Sequence, residues 1–175
     1  ISPKSFYQVN SVQTEILFGT AGEFAGLTGY EKVIDAYCGI GTISLTLAKH
    51  VKKVYGVEVV PQAIVDAKEN AERNHITNAE FVCDDAGHFM TEFVERHEKV
   101  DCVMVDPPRK GCSTEFLERL TTLSPERIVY ISCNVATQAR DLTYLVEKGY
   151  KPLDVQPVDM FPHTPHIENI LLLSK

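Results

Sequence analysis

Val33-Ile34-Asp35-Ala36-Tyr37-Cys38-Gly39-Ile40-Gly41-Thr42 is the stretch that decides the architecture. A short apolar strand over 33–36 runs into a glycine turn, and the turn opens a helix predicted over 42–49. The same order then recurs. Val54-Tyr55-Gly56-Val57, Glu80-Phe81-Val82-Cys83, Cys102-Val103-Met104-Val105 and Ile128-Val129-Tyr130-Ile131 read as further strands. Helices are predicted from Pro61 to about Asn74, Gly87 to about Arg96 and Thr114 to about Leu120, and a stripe of Ala139, Leu142 and Leu145 marks one more. A helix over Ser11–Leu27 comes first, and strands near 153–158 and over 170–173 come last. Strand and helix in this rhythm predict an α/β, doubly wound, mostly parallel seven-stranded sheet. If the final strand runs antiparallel, its beginning lies where the other strands end.

Length and charge narrow the function. The 175 residues suit one domain, with neither repeats nor low-complexity tracts. A net charge of −7 argues against a free-standing nucleic-acid binder, so any phosphate grip has to come from a local patch such as Arg109-Lys110 or from outside this chain. The five cysteines are odd in number and form no Cys-x-x-Cys pair, which implies neither a disulfide framework nor a metal site. Reduced thiols, no apolar leader and no run approaching a membrane span lead us to expect a cytoplasmic protein. The first residue is Ile1, not Met, and the chain is expected to be an excised part of something longer.

Chemistry gathers where strands end, the edge at which open α/β sheets bind ligands. Gly39 and Gly41 allow close backbone approach at a helix N-terminus, and Glu58 ends the second strand, placed to accept bonds from a ribose. The turn lacks the third glycine of a dinucleotide fingerprint and any Walker lysine, which disfavours NAD and ATP. Asp85 follows the third strand and is placed to accept from an adenine amino group; Asp84 and Asp85 read equally well as helix caps. Together these residues fit the nucleoside half of S-adenosylmethionine. Asp106-Pro107-Pro108-Arg109-Lys110-Gly111 is a rigid loop that holds the Asp106 carboxylate at the edge. Cys133 ends the fifth strand. Taken alone it is most simply a buried thiol, but Glu168, at the head of an antiparallel last strand, would face it and offer a general base. His163 and His166 read as surface residues.

Phe6-Tyr7-Gln8-Val9-Asn10, Asp35 to Thr42, Gly56-Val57-Glu58, Asp106 to Gly111, Ser132-Cys133-Asn134 and His166-Ile167-Glu168 occur in this order along nearly the whole chain. Together they closely resemble the catalytic domain of RNA uracil-5 methyltransferases. The resemblance implies a Rossmann-like S-adenosylmethionine-dependent methyltransferase fold filling residues 1–175, without the N-terminal RNA-binding domains of full-length members. It implies Cys133 as nucleophile, Glu168 as base, Gln8, Tyr37, Glu58 and Asp106 at the cofactor S-adenosyl-L-methionine, and an RNA substrate. Gln8-Val9-Asn10 and Gly39-Ile40-Gly41-Thr42 look more like the 23S rRNA enzymes than the tRNA enzymes. Many members carry proline where this chain has Val135, which leaves the loop freer. A monomer with no membrane contact is expected. The rival readings are an exocyclic-amino methyltransferase, which favours an aromatic residue where Arg109 stands and needs no thiol, and a cofactor-binding RNA chaperone, which needs neither Cys133 nor Glu168.

Overall fold

A computed structural model of the chain describes residues 10–164 and 166–175. Gln8 therefore lies outside the described residues. Helix α1 (Ser11–Ala25) precedes β1 (Lys32–Ala36), α2 (Thr42–Leu47), β2 (Lys53–Glu58), α3 (Pro61–Arg73), β3 (Ala79–Cys83), α4 (Ala86–Glu95), β4 (Cys102–Val105), α5 (Thr114–Leu123), β5 (Arg127–Ser132) and α6 (Val135–Glu147). Two strands, β6 (Lys151–Val158) and β7 (Glu168–Ser174), complete the chain. The strands form one sheet in the order β3-β2-β1-β4-β5-β7-β6. The first five strands run parallel. β7 is antiparallel to both β5 and β6, which makes it the one reversed strand of the sheet. This is the predicted doubly wound arrangement.

Helices cover both faces, so the central strands are buried on both sides and read as continuous apolar runs. Every residue of β4 is buried. Alternation of side chains then builds two cores. Val33, Val54, Met104, Val129, Ile131 and Ile170 meet Leu17 of α1 and Ile43 and Leu47 of α2. Ile34, Val57, Val103, Val105, Tyr130 and Leu171 meet Phe89 of α4, Leu120 of α5 and Leu145 of α6.

Most departures from the predicted boundaries have local causes. α1 stops before Leu27 because Gly26 takes the left-handed conformation, φ 57°, and the Arg127 guanidinium donates to the carbonyls of Ala25 and Gly26. α2 ends at Leu47 and tightens into a 3₁₀ turn over Ala48–His50. α6 begins at Val135, ahead of the predicted stripe, because the Asn134 side chain caps it by accepting from the N–H groups of Ala136 and Thr137. Of the predicted α6 stripe, Leu145 is buried and Leu142 packs against the core, whereas Ala139 is exposed and the polar Gln138 and Asp141 face inward instead. No helix among the described residues is long and apolar enough to cross a membrane.

Entry into β1 depends on a single carboxylate. Glu31 accepts from the N–H groups of Thr28 at 2.9 Å, Gly29 at 3.1 Å and Tyr30 at 3.1 Å, and from the Thr28 hydroxyl at 2.7 Å. Burial pushes its pKa up, but the bonds from Thr28 and Tyr30 outweigh that and hold it at about 2. A carboxyl depressed from its usual 4.5 contributes stability that is fully present above 4.5 and is lost as pH falls toward 2. Glu31→Gln is expected to lower stability at neutral pH by on the order of 1–2 kcal/mol. In urea unfolding at stepped pH, the gap between variant and wild type should close through that acid window.

Candidate active site

The sequence-predicted site residues arrive at one end and on one face of the sheet. Asp35 shares its side with Val33, Glu58 with Val54, Asp106 with Met104, Cys133 with Ile131 and Glu168 with Ile170, the face that meets α1 and α2. Each stands at or next to the carboxyl end of its parallel strand, or at the start of the reversed β7. The β5–β7 ladder ends at the pair Ser132↔Asn169. Cys133 and Glu168 each lie one residue beyond that last pair, Cys133 just past the end of β5 and Glu168 at the head of β7, and the Glu168 charge acts on the thiol.

Charge in this group is unbalanced. Glu168 is 5% exposed, and burial pushes its pKa up against the opposing charge of Arg109. Cys133 is half-buried; burial and then the Glu168 charge push the thiol up, while a hydrogen bond from Arg109 and its charge pull it down. Asp106 is raised to about 8 by burial, then by Glu168 and Asp35, and has no hydrogen-bond partner among the described residues. Asp35 is fully buried and raised to about 7 by desolvation, against the bonds from Ser44. Its Oδ2 accepts from Ser44 N at 2.9 Å and Ser44 Oγ at 2.5 Å, whereas Oδ1 has no partner. Arg109 thus opposes one of these carboxyls, Glu168, and no cation acts on Asp35 or Asp106 among the described residues, a field suited to a cationic ligand.

A cavity of about 410 Å³ opens beside the thiol, lined by Arg109, Cys133, Asn134, Val135, His166 and Ile167 among others. A second hollow of about 400 Å³, bounded by Phe18, Gly22 and Leu47, holds none of the residues singled out in the sequence. The glycine turn borders the site from the β1 side. Gly39 and Gly41 have φ 53° and 83°, and a Cβ on Gly41 would fall 2.8 Å from the Phe81 ring. Glu58 ties this turn to β2 by accepting from Gly39 N at 3.2 Å and Val60 N at 3.0 Å. Two candidates sit differently. Tyr37 leaves β1 at φ 67° and turns its ring onto Phe116 of α5, centroids 5.2 Å apart, away from the carboxylate face. Asp85 is exposed and caps α4, accepting from Gly87 N at 2.9 Å and His88 N at 3.1 Å. Asp84 pairs with His88 at 2.7 Å.

Sequence reasoning did not find the clasp that seats β7. Gln138 Nε2 donates to the carbonyls of Tyr130 at 2.9 Å and Asn169 at 3.2 Å, and Asn169 Nδ2 donates back to Gln138 Oε1 at 2.6 Å. One amide of α6 thereby bridges β5 and β7 beside the residues that end in Cys133 and begin with Glu168. The available signal was a polar residue on the inward stripe of a helix, where an apolar one is expected. Gln138→Leu would strand these buried groups and is expected to cost on the order of 3 kcal/mol, read as a lower urea midpoint.

A sheet ordered 3-2-1-4-5-7-6 with β7 reversed, carrying its acidic groups at the ends of β1, β2 and β4, is the Rossmann-like fold of S-adenosylmethionine-dependent methyltransferases. Within that class, the family model described as tRNA (uracil-5-)-methyltransferase matches residues 2–175. The chain belongs to this family. It is 55% identical to an uncharacterized RNA methyltransferase of Halalkalibacterium halodurans over 99% of this chain and 38% of the relative, and 54% identical to one of Bacillus cereus over 100% and 38%. The chain thus spans well under half the length of these relatives. Among solved structures it is similar to the tRNA (uracil-54, C5)-methyltransferase of Pyrococcus abyssi in complex with S-adenosyl-L-homocysteine, with TM-score 0.81, 37% identity, and 99% of this chain and 41% of that one covered. An rRNA methylase of Streptococcus thermophilus, 17% identical at TM-score 0.72 over 93% of this chain and 96% of that one, shares the fold.

Proposed function

We propose that the chain is the catalytic domain of an enzyme that methylates carbon 5 of uracil in RNA, with Cys133 as nucleophile, Glu168 as base and S-adenosyl-L-methionine as methyl donor. The observation that supports this reading is that Cys133 and Glu168 each adjoin the last β5–β7 pair, Ser132↔Asn169, with the Glu168 charge acting on the thiol. The residues present suit the cofactor. A buried Asp35 oxygen without a partner, an unbonded Asp106 and the carboxylate of Glu58 beside the glycine turn form an acidic cradle for a ribose and a cationic methionine end. Gly39 and Gly41 give backbone access, Asp85 is the candidate acceptor for an adenine amino group, and Gln8 and Tyr37 are assigned through the resemblance alone.

S-adenosylmethionine supplies an electrophilic methyl when bound. Uracil C5 is too weak a nucleophile to take it unaided. Cys133 first loses its proton, with the Arg109 guanidinium stabilising the thiolate. The sulfur then adds to C6 and electron density moves to C5, the atom to which the bound cofactor would give its methyl, its S–CH3 bond breaking to leave S-adenosyl-L-homocysteine. Glu168 removes the C5 proton, the C6–S bond breaks, and the thiolate is regenerated as the ring recovers its double bond. The burial that raises the proton affinity of Glu168 suits it to that last step. The base reaches the cavity by leaving its stack, at a cost of roughly a few kcal/mol, least for a loop nucleotide.

Gln8-Val9-Asn10 and Gly39-Ile40-Gly41-Thr42 favour 23S rRNA over tRNA as substrate. An exocyclic-amino methyltransferase is disfavoured by a thiol and an acid set face to face, which transfer to nitrogen does not need. Cys133→Ser is expected to abolish methylation while cofactor binding, followed by calorimetry, persists; substantial residual turnover would remove Cys133 as nucleophile. Glu168→Gln should accumulate a covalent protein–RNA adduct on denaturing gels, and an active variant that yields no adduct would remove Glu168 as base. Methyl transfer to 23S rRNA but not tRNA transcripts is the expected substrate preference, and the reverse would overturn it.

A further inference from the structure

The loop from Asp106 to Cys112 carries the cation nearest the thiol, and it is held chiefly by α6. Gly111 has φ 74°, and a Cβ there would fall 2.7 Å from both Arg140 Nη2 and Asp141 Oδ2, so the loop backbone presses directly onto the helix. Bonds run along almost every loop residue. The Arg109 carbonyl accepts from Asn134 Nδ2 at 3.1 Å and from Thr137 Oγ1 at 3.2 Å. Arg140 Nη2 donates to the carbonyls of Lys110 at 3.1 Å and Cys112 at 3.0 Å. Cys112 N donates to Asp141 Oδ2 at 2.8 Å. Asp141 is 1% exposed, yet its oxygens are well supplied: Oδ2 also accepts from the Tyr130 hydroxyl at 2.7 Å, and Oδ1 accepts from Arg140 Nε at 2.8 Å. A buried carboxylate is costly unless paired and bonded in this way, and here every partner belongs to the loop, to β5 or to α6 itself.

We propose that Asp141 and Arg140 are positioning residues: together they clamp the 106–112 loop to α6, and so rest the Arg109 guanidinium against the Cys133 thiol at the mouth of the cavity. The proposal rests on the reading of Cys133 as nucleophile, and neither clamp residue touches the reacting atoms. The charges that act on the thiol are Arg109 and Asp106 from the loop and Glu168 from β7, with His166 also lining the cavity. Releasing the loop removes the guanidinium and leaves the acids. The thiolate then becomes scarcer at any given pH. Because the first turn of α6 also follows directly from Cys133, nucleophile and cation are mounted on the same helix.

The test is the pH profile of iodoacetamide alkylation at Cys133, read by mass spectrometry on its own peptide, with neither RNA nor cofactor present. The Arg140 side chain is 57% exposed, so Arg140→Met is a mild change to the surface. It is expected to slow Cys133 alkylation at neutral pH roughly three- to tenfold and to move the profile up by about half to one unit. Arg140→Lys should restore part of the rate, and the shape-matched Asp141→Asn should shift the profile in the same direction. Arg109→Met should produce the shift by itself, and adding Arg140→Met to it should produce no more. An unchanged profile in Arg140→Met, or an additive shift in the double variant, would overturn the proposal. Faster alkylation of Cys102, buried in β4 outside the loop, would also overturn it, by assigning the clamp to folding alone. Failure of the nucleophile reading shows separately, as methylation surviving Cys133→Ser.

Discussion

The antiparallel pairing of β7 with β5 is the constraint on which the proposed chemistry depends. In a purely parallel sheet, strand ends and strand beginnings lie at opposite edges, and an acid at the head of a strand could not reach a thiol at the tail of another. Reversing a single strand brings the two to the same edge. The register then matters to one residue, because slipping a strand by one position turns its side chains to the other face. Two features hold it: the apolar alternation of Ile170, Leu171 and Leu173 between two cores, and the amide clasp of Gln138 and Asn169 close to the site.

Around that geometry the electrostatics share one theme. Asp35, Asp106 and Glu168 are all desolvated, Asp106 is pushed further toward its neutral form by Glu168 and Asp35 and Asp35 by Glu58, and Arg109 is the cation that acts on Glu168. Such a surface is poor at holding anions near its acidic end and receptive to a cationic group. Arg109 sits where the acidic region gives way to the cavity beside Cys133. The chain therefore presents two adjoining environments, an acidic one and a cavity lined by Arg109, with the thiol at their border.

Much of this was legible in the residues, for identifiable reasons. Continuous apolar runs such as Cys102 to Val105 mark strands buried on both faces, and Gly39 and Gly41 mark a turn that needs left-handed backbone. The arrival of Cys133 and Glu168 at the same sheet edge followed from topology once the last strand was taken as reversed. What escaped was polar and tertiary. Asn134 capping α6, Gln138 reaching two carbonyls and Asp141 buried under the loop all depend on partners far along the chain. The α6 stripe was read only in part for the same reason: Leu142 and Leu145 do pack inward, but Ala139 is exposed and the polar Gln138 and Asp141 take inward places, where their bonds outweigh the loss of solvent. Tyr37 could not be oriented either, because a non-glycine residue at positive φ is unexpected from local sequence.

The place of β7 between β5 and β6 has a consequence for how the molecule comes into being. During synthesis the thiol emerges well before the acid that faces it, and the gap in the sheet stays open until the last residues of this stretch insert. On the proposed reading, the two groups would come together only as β7 closes the sheet between its neighbours.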